Sequence, residues 1–143
     1  MSNTTVDAYD KPVPEPSNES RPFWAGLHEH RLLLQRCTNC FRVRHYPRPV
    51  CDACYAMKYD WIEASGRGIV HSWTVTHHAF HFGFKRDLPY VTVVVDLEEG
   101  VRIVSNLVDV APADVRIGLA VEVRFARFDD DLVLPLFAPA VTA

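Results

Sequence analysis

Outside residues 37–54 the chain contains no cysteine. That absence leaves no dispersed set of thiols from which to build a disulfide scaffold. Long apolar runs are missing too. The longest, such as residues 91–95, fall far short of the ~20 residues a membrane-spanning helix needs. Nothing like a secretory signal opens the sequence, and no internal repeat or low-complexity segment appears. No Ser-His-Asp order and no paired-carboxylate motif stands out. At 143 residues, 48% hydrophobic and 23% charged, the chain is a globular domain or two very small ones.

The cysteines that are present form two C-x-x-C pairs, Cys37 with Cys40 and Cys51 with Cys54, separated by ten residues. Four thiolates at tetrahedral corners ~2.3 Å from the ion are what structural zinc requires. Two intervening residues let a tight knuckle aim both sulfurs at one point, and the spacer suffices for a short hairpin between the pairs. Two disulfides would need an oxidising compartment. A thioredoxin-type pair would leave the second pair unexplained, and a rubredoxin-like iron site usually has a far longer spacer. Four sulfurs close the coordination shell, so the metal is expected to fold the protein rather than activate water. Structural zinc supplies an apparent ~10–16 kcal/mol in small peptides, more than many whole domains hold in reserve. Reduced, metal-bound cysteines place the expected location in the cytoplasm.

The net charge of −3 hides an asymmetry. Residues 1–30 sum to −3, residues 31–58 to +5 and residues 59–143 to −5. The cysteine segment is a basic island carrying Arg42, Arg44 and Arg48. Those arginines offset the formal −2 charge of a tetrathiolate zinc, or they meet phosphate on a nucleic acid or on coenzyme A.

Residues 1–20 hold three prolines and few large apolar side chains, and read as a flexible tail. Ser20, Arg21 and Pro22 read as a helix start with a capping hydroxyl and proline in the first turn. Phe23, Trp24 and Leu27 would share one face of a short helix ending near His30. Such a helix is too short to stand alone, so its aromatic face must dock on the protein's own core, a partner or a ligand tunnel. Residues 32–35, 43–46 and 59–64 read as ribbon strands. The turn Ser65-Gly66-Arg67-Gly68 marks the expected boundary between a ribbon domain, residues 21–65, and a second domain, residues 66–143. From residue 69 onward the pattern is all β: strands at 69–80, 90–97, 101–108, 119–128 and 132–137, with a hairpin turn at Glu98-Glu99-Gly100 and a helical turn at 111–115. Five strands with one short helix between the third and fourth is the plan of an OB-fold barrel.

The order of these pieces suggests a family. Pro22-Phe23-Trp24, the four-cysteine ribbon, Ser65-Gly66-Arg67-Gly68, Pro89-Tyr90-Val91, Glu99-Gly100-Val101-Arg102, Ile117-Gly118 and Leu134-Pro135-Leu136-Phe137 follow one another. Over residues 21–139 the chain resembles the acyl-CoA-associated family that joins a rubredoxin-like zinc ribbon to an OB-fold. The resemblance implies a mainly β protein whose metal ligands are Cys37, Cys40, Cys51 and Cys54. It also implies an accessory subunit of a thiolase-superfamily enzyme, an acyl-CoA thiolase or lipid-transfer-protein-like aldolase, in a hetero-oligomer. The catalytic groups would then belong to the partner, and none is assigned in this chain. The subunit would support assembly and shape the path of a CoA thioester. One departure is visible. A glycine commonly follows each C-x-x-C pair because the closing residue takes a left-handed conformation, and here Phe41 and Tyr55 stand there. If they adopt it, each costs ~1–2 kcal/mol.

The candidate contacts for a partner or acyl-CoA are Phe23 and Trp24 on the helix, Arg42 and Arg44 in the basic island, and His78, Phe80 and Phe82. On a strand, His77, Ala79 and His81 would point one way while His78, Phe80 and Phe82 point the other. That aromatic stretch could cap an acyl chain or enter a subunit interface. The competing function is single-stranded nucleic-acid binding, which zinc ribbons and OB-folds both serve. The −5 sum of residues 59–143 argues against a nucleic-acid groove there.

Overall fold

The computed structural model describes residues 9–141 of the chain. The short helix α1 (Arg21–His28) is followed by a sheet of β1 (Leu33–Cys37), β2 (Val43–Arg44) and β3 (Tyr59–Glu63) in the order β2-β1-β3. Strands β4 (Arg67–Thr76), β5 (Tyr90–Leu97), β6 (Arg102–Leu107), β7 (Ala120–Arg127) and β8 (Val133–Pro139) close into a barrel in the order β4-β5-β6-β8-β7. A 3-10 turn, Pro112–Asp114, lies between β6 and β7, where the OB plan places its helix. The protein is mainly β, with one short helix, a four-cysteine ribbon and a five-stranded barrel. Among the described residues no helix is long and apolar enough to cross a membrane.

Alternation builds the barrel wall. Along β5, Val91, Val93, Val95 and Leu97 point inward and are buried, while the residues between them are partly exposed. Strand β4 serves two neighbours, pairing with β5 along its length and with β7 through Arg67, Gly68 and Ile69. A register shift between Val70 and Ser72 bends it enough to do both. Gly68 sits where a Cβ would lie 2.4 Å from the Asp96 carbonyl oxygen, so only glycine allows that approach. Gly66, at φ 80°, turns the chain from ribbon to barrel. The barrel's thin seam is between β6 and β8, whose only paired residues are Leu107 and Phe137. Higher on that seam the Ser105 hydroxyl donates to the Pro135 carbonyl at 2.6 Å, replacing a ladder bond.

Helix α1 ties the two sheets together. Phe23 and Leu27 are buried in one core with Leu32 and Leu34 of the ribbon side and Val70, Val93 and Phe137 of the barrel. The aromatic face therefore docks on the protein's own core. The helix ends where His30, at φ 57°, donates its N–H to the Leu27 carbonyl and Arg31 donates to Gly26. Its start differs from expectation. The Ser20 hydroxyl caps no helix amide; it accepts from the Ser17 N–H at 2.9 Å instead.

Two further expectations change. Residues 1–8 of the expected tail lie outside the described residues, but residues 9–11 lie against the barrel rather than free of it. Tyr9 packs 5.4 Å from Phe128, and Lys11 pairs with Asp87 at 2.8 Å. Strand β4 stops at Thr76, short of residue 80. Its partner β5 begins at Tyr90, which pairs with Thr76, so nothing remains for residues 77–80 to bond to. The alternation of faces expected for His77 to Phe82 does not occur. These residues form a loop leading into a 3-10 turn, Phe82–Asp87.

Candidate metal centre and the adjoining clefts

The two C-x-x-C knuckles repeat one another atom for atom. In each, the first cysteine's carbonyl accepts the N–H four residues on, from Phe41 at 2.9 Å and from Tyr55 at 3.0 Å. The first cysteine's own N–H donates one residue further, to Arg42 and to Ala56, at 2.9 Å in both. The N–H groups of Asn39 and Ala53 donate to the sulfurs of Cys37 and Cys51 at 3.4 Å. Phe41 and Tyr55 take φ values of 64° and 63°, the left-handed turn that glycine would adopt without strain. The geometry overrides the residue type because the sulfurs demand it.

All four sulfurs lie within 4.8 Å of one another, with Cys37 to Cys54 at 3.6 Å and Cys40 to Cys51 at 3.7 Å. A tetrahedron with ~2.3 Å arms has edges of about 3.8 Å, whereas a disulfide bond is ~2.05 Å long. The set fits one tetrahedral ion and no disulfide. Electrostatics agree. The Asn39 side chain, and then the Ala56 N–H, bring the Cys54 thiol down to about 6. The N–H groups of Cys54 and Ala53 lower Cys51. Cys40 goes up to about 11 although the Arg42 N–H lowers it, because lost hydration and the neighbouring sulfurs outweigh that bond. Crowding so many potential thiolates is tolerable only around a cation. Zinc held by Cys37, Cys40, Cys51 and Cys54 would have no open position, and would supply folding energy and rigidity.

Above the barrel seam lies an apolar groove of about 440 Å³, walled by Phe23 and Trp24 of α1, His45 and Tyr46 of the ribbon, Ile103 of β6 and Leu134 of β8. On the other side of His45 lies a polar cleft of about 360 Å³, lined by Arg42, Arg44, Arg48 and Arg102 with Asp52 and Asp96. His45 borders both. Its two ring nitrogens are buried without a protein partner, and burial pulls its pKa down to about 4. Phe23 packs 5.2 Å from its ring. Tyr46 closes the groove by accepting the Val104 N–H at 3.1 Å.

The candidate contacts thus separate into three groups. Phe23 is mostly spent on the core, while Trp24 is half-buried at the groove wall, edge-on to Phe23 at 5.4 Å. Arg42 is exposed at the polar cleft and pairs with Asp52 at 3.5 Å. Arg44 differs from a surface cation: only 6% exposed, it donates from Nε to Gln35 Oε1 and from Nη2 to the Arg48 carbonyl at 3.0 Å, over the Tyr59 ring. Its Nη1 is left buried without a partner. His78, Phe80 and Phe82 line neither cleft. Phe80 is 87% exposed beside His78, and His81 is structural, its Nδ1 accepting the Gly83 N–H at 3.1 Å. His45 and Tyr46 escaped the sequence reading, because nothing in a lone His-Tyr-Pro step says that a helix will fold over it.

Residues 24–57 match the family described as the rubredoxin-like zinc ribbon domain of ChsH2, and residues 61–126 match its C-terminal OB-fold domain. A probable enoyl-CoA hydratase alpha subunit of Thermomonospora curvata is 42% identical over 130 residues, covering 90% of this chain and 40% of that protein. The chain therefore spans about two fifths of that relative's length. A DUF35 domain-containing scaffold protein of Methanocaldococcus jannaschii is 37% identical over 110 residues, covering 76% of this chain and 77% of that protein. Among solved structures, a chain of the Ltp2-ChsH2(DUF35) aldolase superposes with a TM-score of 0.83 at 39% identity, covering 90% of this chain and all (100%) of that one.

Proposed function

Because this chain belongs to the ChsH2/DUF35 family of zinc-ribbon, OB-fold proteins, we propose that it is a non-catalytic accessory subunit of an enzyme acting on CoA thioesters. The catalytic partner in this reading is of the thiolase superfamily, an acyl-CoA thiolase or a lipid-transfer-protein-like aldolase, and the assembly is a hetero-oligomer. One observation carries it: an apolar groove and an arginine-lined cleft meet at His45. A CoA thioester has the same two-part chemistry, an apolar acyl end and a polyanionic phosphate end. Four arginines against two aspartates leave the cleft with a surplus of positive charge. In the groove, Trp24 and Tyr46 offer apolar surface. The zinc holds the ribbon wall of both clefts in place, since β2 follows the first knuckle directly.

The test is co-expression with a thiolase-superfamily protein encoded beside this chain. A stable complex, active on CoA thioesters only with both chains present, supports the reading; a partner fully active alone that never co-purifies contradicts it. A second reading places the same module in a CoA-ester hydratase, favoured by the 42% identical hydratase relative. Assaying the complex for hydration as well as carbon–carbon bond cleavage separates the two.

A further inference from the structure

Phe41 and Tyr55 present a puzzle that the clefts do not absorb. Both hold the left-handed conformation in which glycine is free of strain, at φ 64° and 63°, and both are exposed, by 68% and 77%. A residue strained in the folded protein is ordinarily repaid by packing. Here little of either ring is covered by the protein. Met57, just beyond the second knuckle, is 70% exposed as well. The strain is paired by the knuckle repeat, each strained residue following directly on a pair of cysteines of the same four-sulfur cluster.

We propose that Phe41 and Tyr55 are twin anchors by which the ribbon docks into an apolar pocket, rimmed by carboxylates, on the catalytic subunit. This rests on the accessory-subunit reading above. Large aromatic side chains on a rigid support are what interface hot spots are made of, since they bury much area at small entropic cost. The rim chemistry follows from charge. The ribbon segment that carries both aromatics, residues 31–58, sums to +5, with Arg42 directly after Phe41, Arg48 and Lys58 exposed, and Asp52 its one acid, paired with Arg42. An acidic partner surface is complementary to that excess, and the pairing speeds encounter and fixes orientation. An anionic membrane is the poorer match, because residues 59–143 sum to −5 and would be repelled by it.

The experiment uses the full chain and the thiolase-like catalytic subunit of the co-expressed complex. Affinity is measured for the wild type, for the double variant Phe41→Gly/Tyr55→Gly and for Phe41→Asn/Tyr55→Asn. Glycine and asparagine both accept the left-handed turn, so both variants are expected to keep zinc and to melt no lower than the wild type. Their affinity for the catalytic subunit is expected to fall by about 30-fold or more, the loss that marks a hot spot. Wild-type assembly with variant affinity within about twofold would overturn the proposal and leave the accessory role standing. Failure of the wild type to assemble would overturn both. Loss of zinc from both variants would mean that the aromatics serve the ribbon itself, which also overturns it. So would wild-type binding to phosphatidylglycerol vesicles that the glycine variant loses.

Discussion

The ribbon and the barrel reach rigidity by different means. The barrel's interior is a stack of aliphatic side chains, with Val70, Val93, Val95, Val121 and Phe137 nearly or fully inaccessible to water. The buried residues of the ribbon strands include Gln35 and Arg44 beside Leu34 and Cys37. Gln35 Oε1 accepts from both Arg44 and the Arg48 N–H, so a polar pin stands where a core would be. Burying polar groups stabilises little unless the geometry is imposed from elsewhere. In the ribbon it is imposed by four sulfurs on one ion; in the barrel it follows from apolar burial. The ribbon's fold should therefore answer to metal, and the barrel's to volume.

Replacing Cys37 or Cys51 with Ser is the sharpest way to break that contrast. Zinc should leave and the ribbon should unfold, forfeiting a large part of the ~10–16 kcal/mol that a structural site contributes. An unchanged melting temperature with the metal gone would erase the distinction. Next in size, Phe137→Ala should destabilise the barrel by ~3–5 kcal/mol, read by denaturant unfolding, while zinc stays bound until the chain unfolds. Metal loss ahead of global unfolding in that variant would mean that the two regions are not separately held.

His45, at the contact of the two regions, sharpens the comparison through pH. Its folded pKa of about 4 lies below the ordinary value of 6.5. The unfolded state therefore binds the proton first, and stability falls as pH drops from about 6.5 to about 4. The loss is at most ~3 kcal/mol for such a shift. Because thiolate protonation also weakens zinc in this range, the readout is the difference between the wild type and His45→Phe, whose stability should decline less. Parallel pH curves would deny His45 its buried, neutral state. Smaller again, Trp24→Ala should weaken assembly with the catalytic subunit more than it lowers the melting temperature, while Phe23→Ala does the reverse. Equal effects would merge the groove with the core. Least of all, Asp60→Asn removes the exposed Arg36–Asp60 pair at 2.7 Å between β1 and β3 and should barely move the melting temperature.

What the residues announced in advance follows the same division. The knuckles could be foreseen from the cysteine spacing, because metal geometry leaves few ways to place two sulfurs, whereas the left-handed turns at Phe41 and Tyr55, residues that disfavour them, could be expected only conditionally. Strand β5 falls where its valine alternation put it, from Tyr90 to Leu97. The end of β4 could not be foreseen, since His77 to Phe80 look as strand-like as the residues before them. What stops the strand is the absence of a partner, which depends on where β5 begins. Arg44 misled for a related reason: its charge suggested a surface, while its burial depends on Gln35 one strand away. The clefts at His45 are wholly tertiary: the groove forms where α1 crosses the barrel seam, and the polar cleft where the ribbon meets the end of β5 and the start of β6, which no local pattern encodes.

Native mass spectrometry of the co-expressed assembly puts the central claim to its most direct trial. One zinc ion per copy of this chain, in a complex with the catalytic subunit that dissociates when the metal is stripped, is the expected spectrum. A metal-free chain that still holds its partner would contradict it.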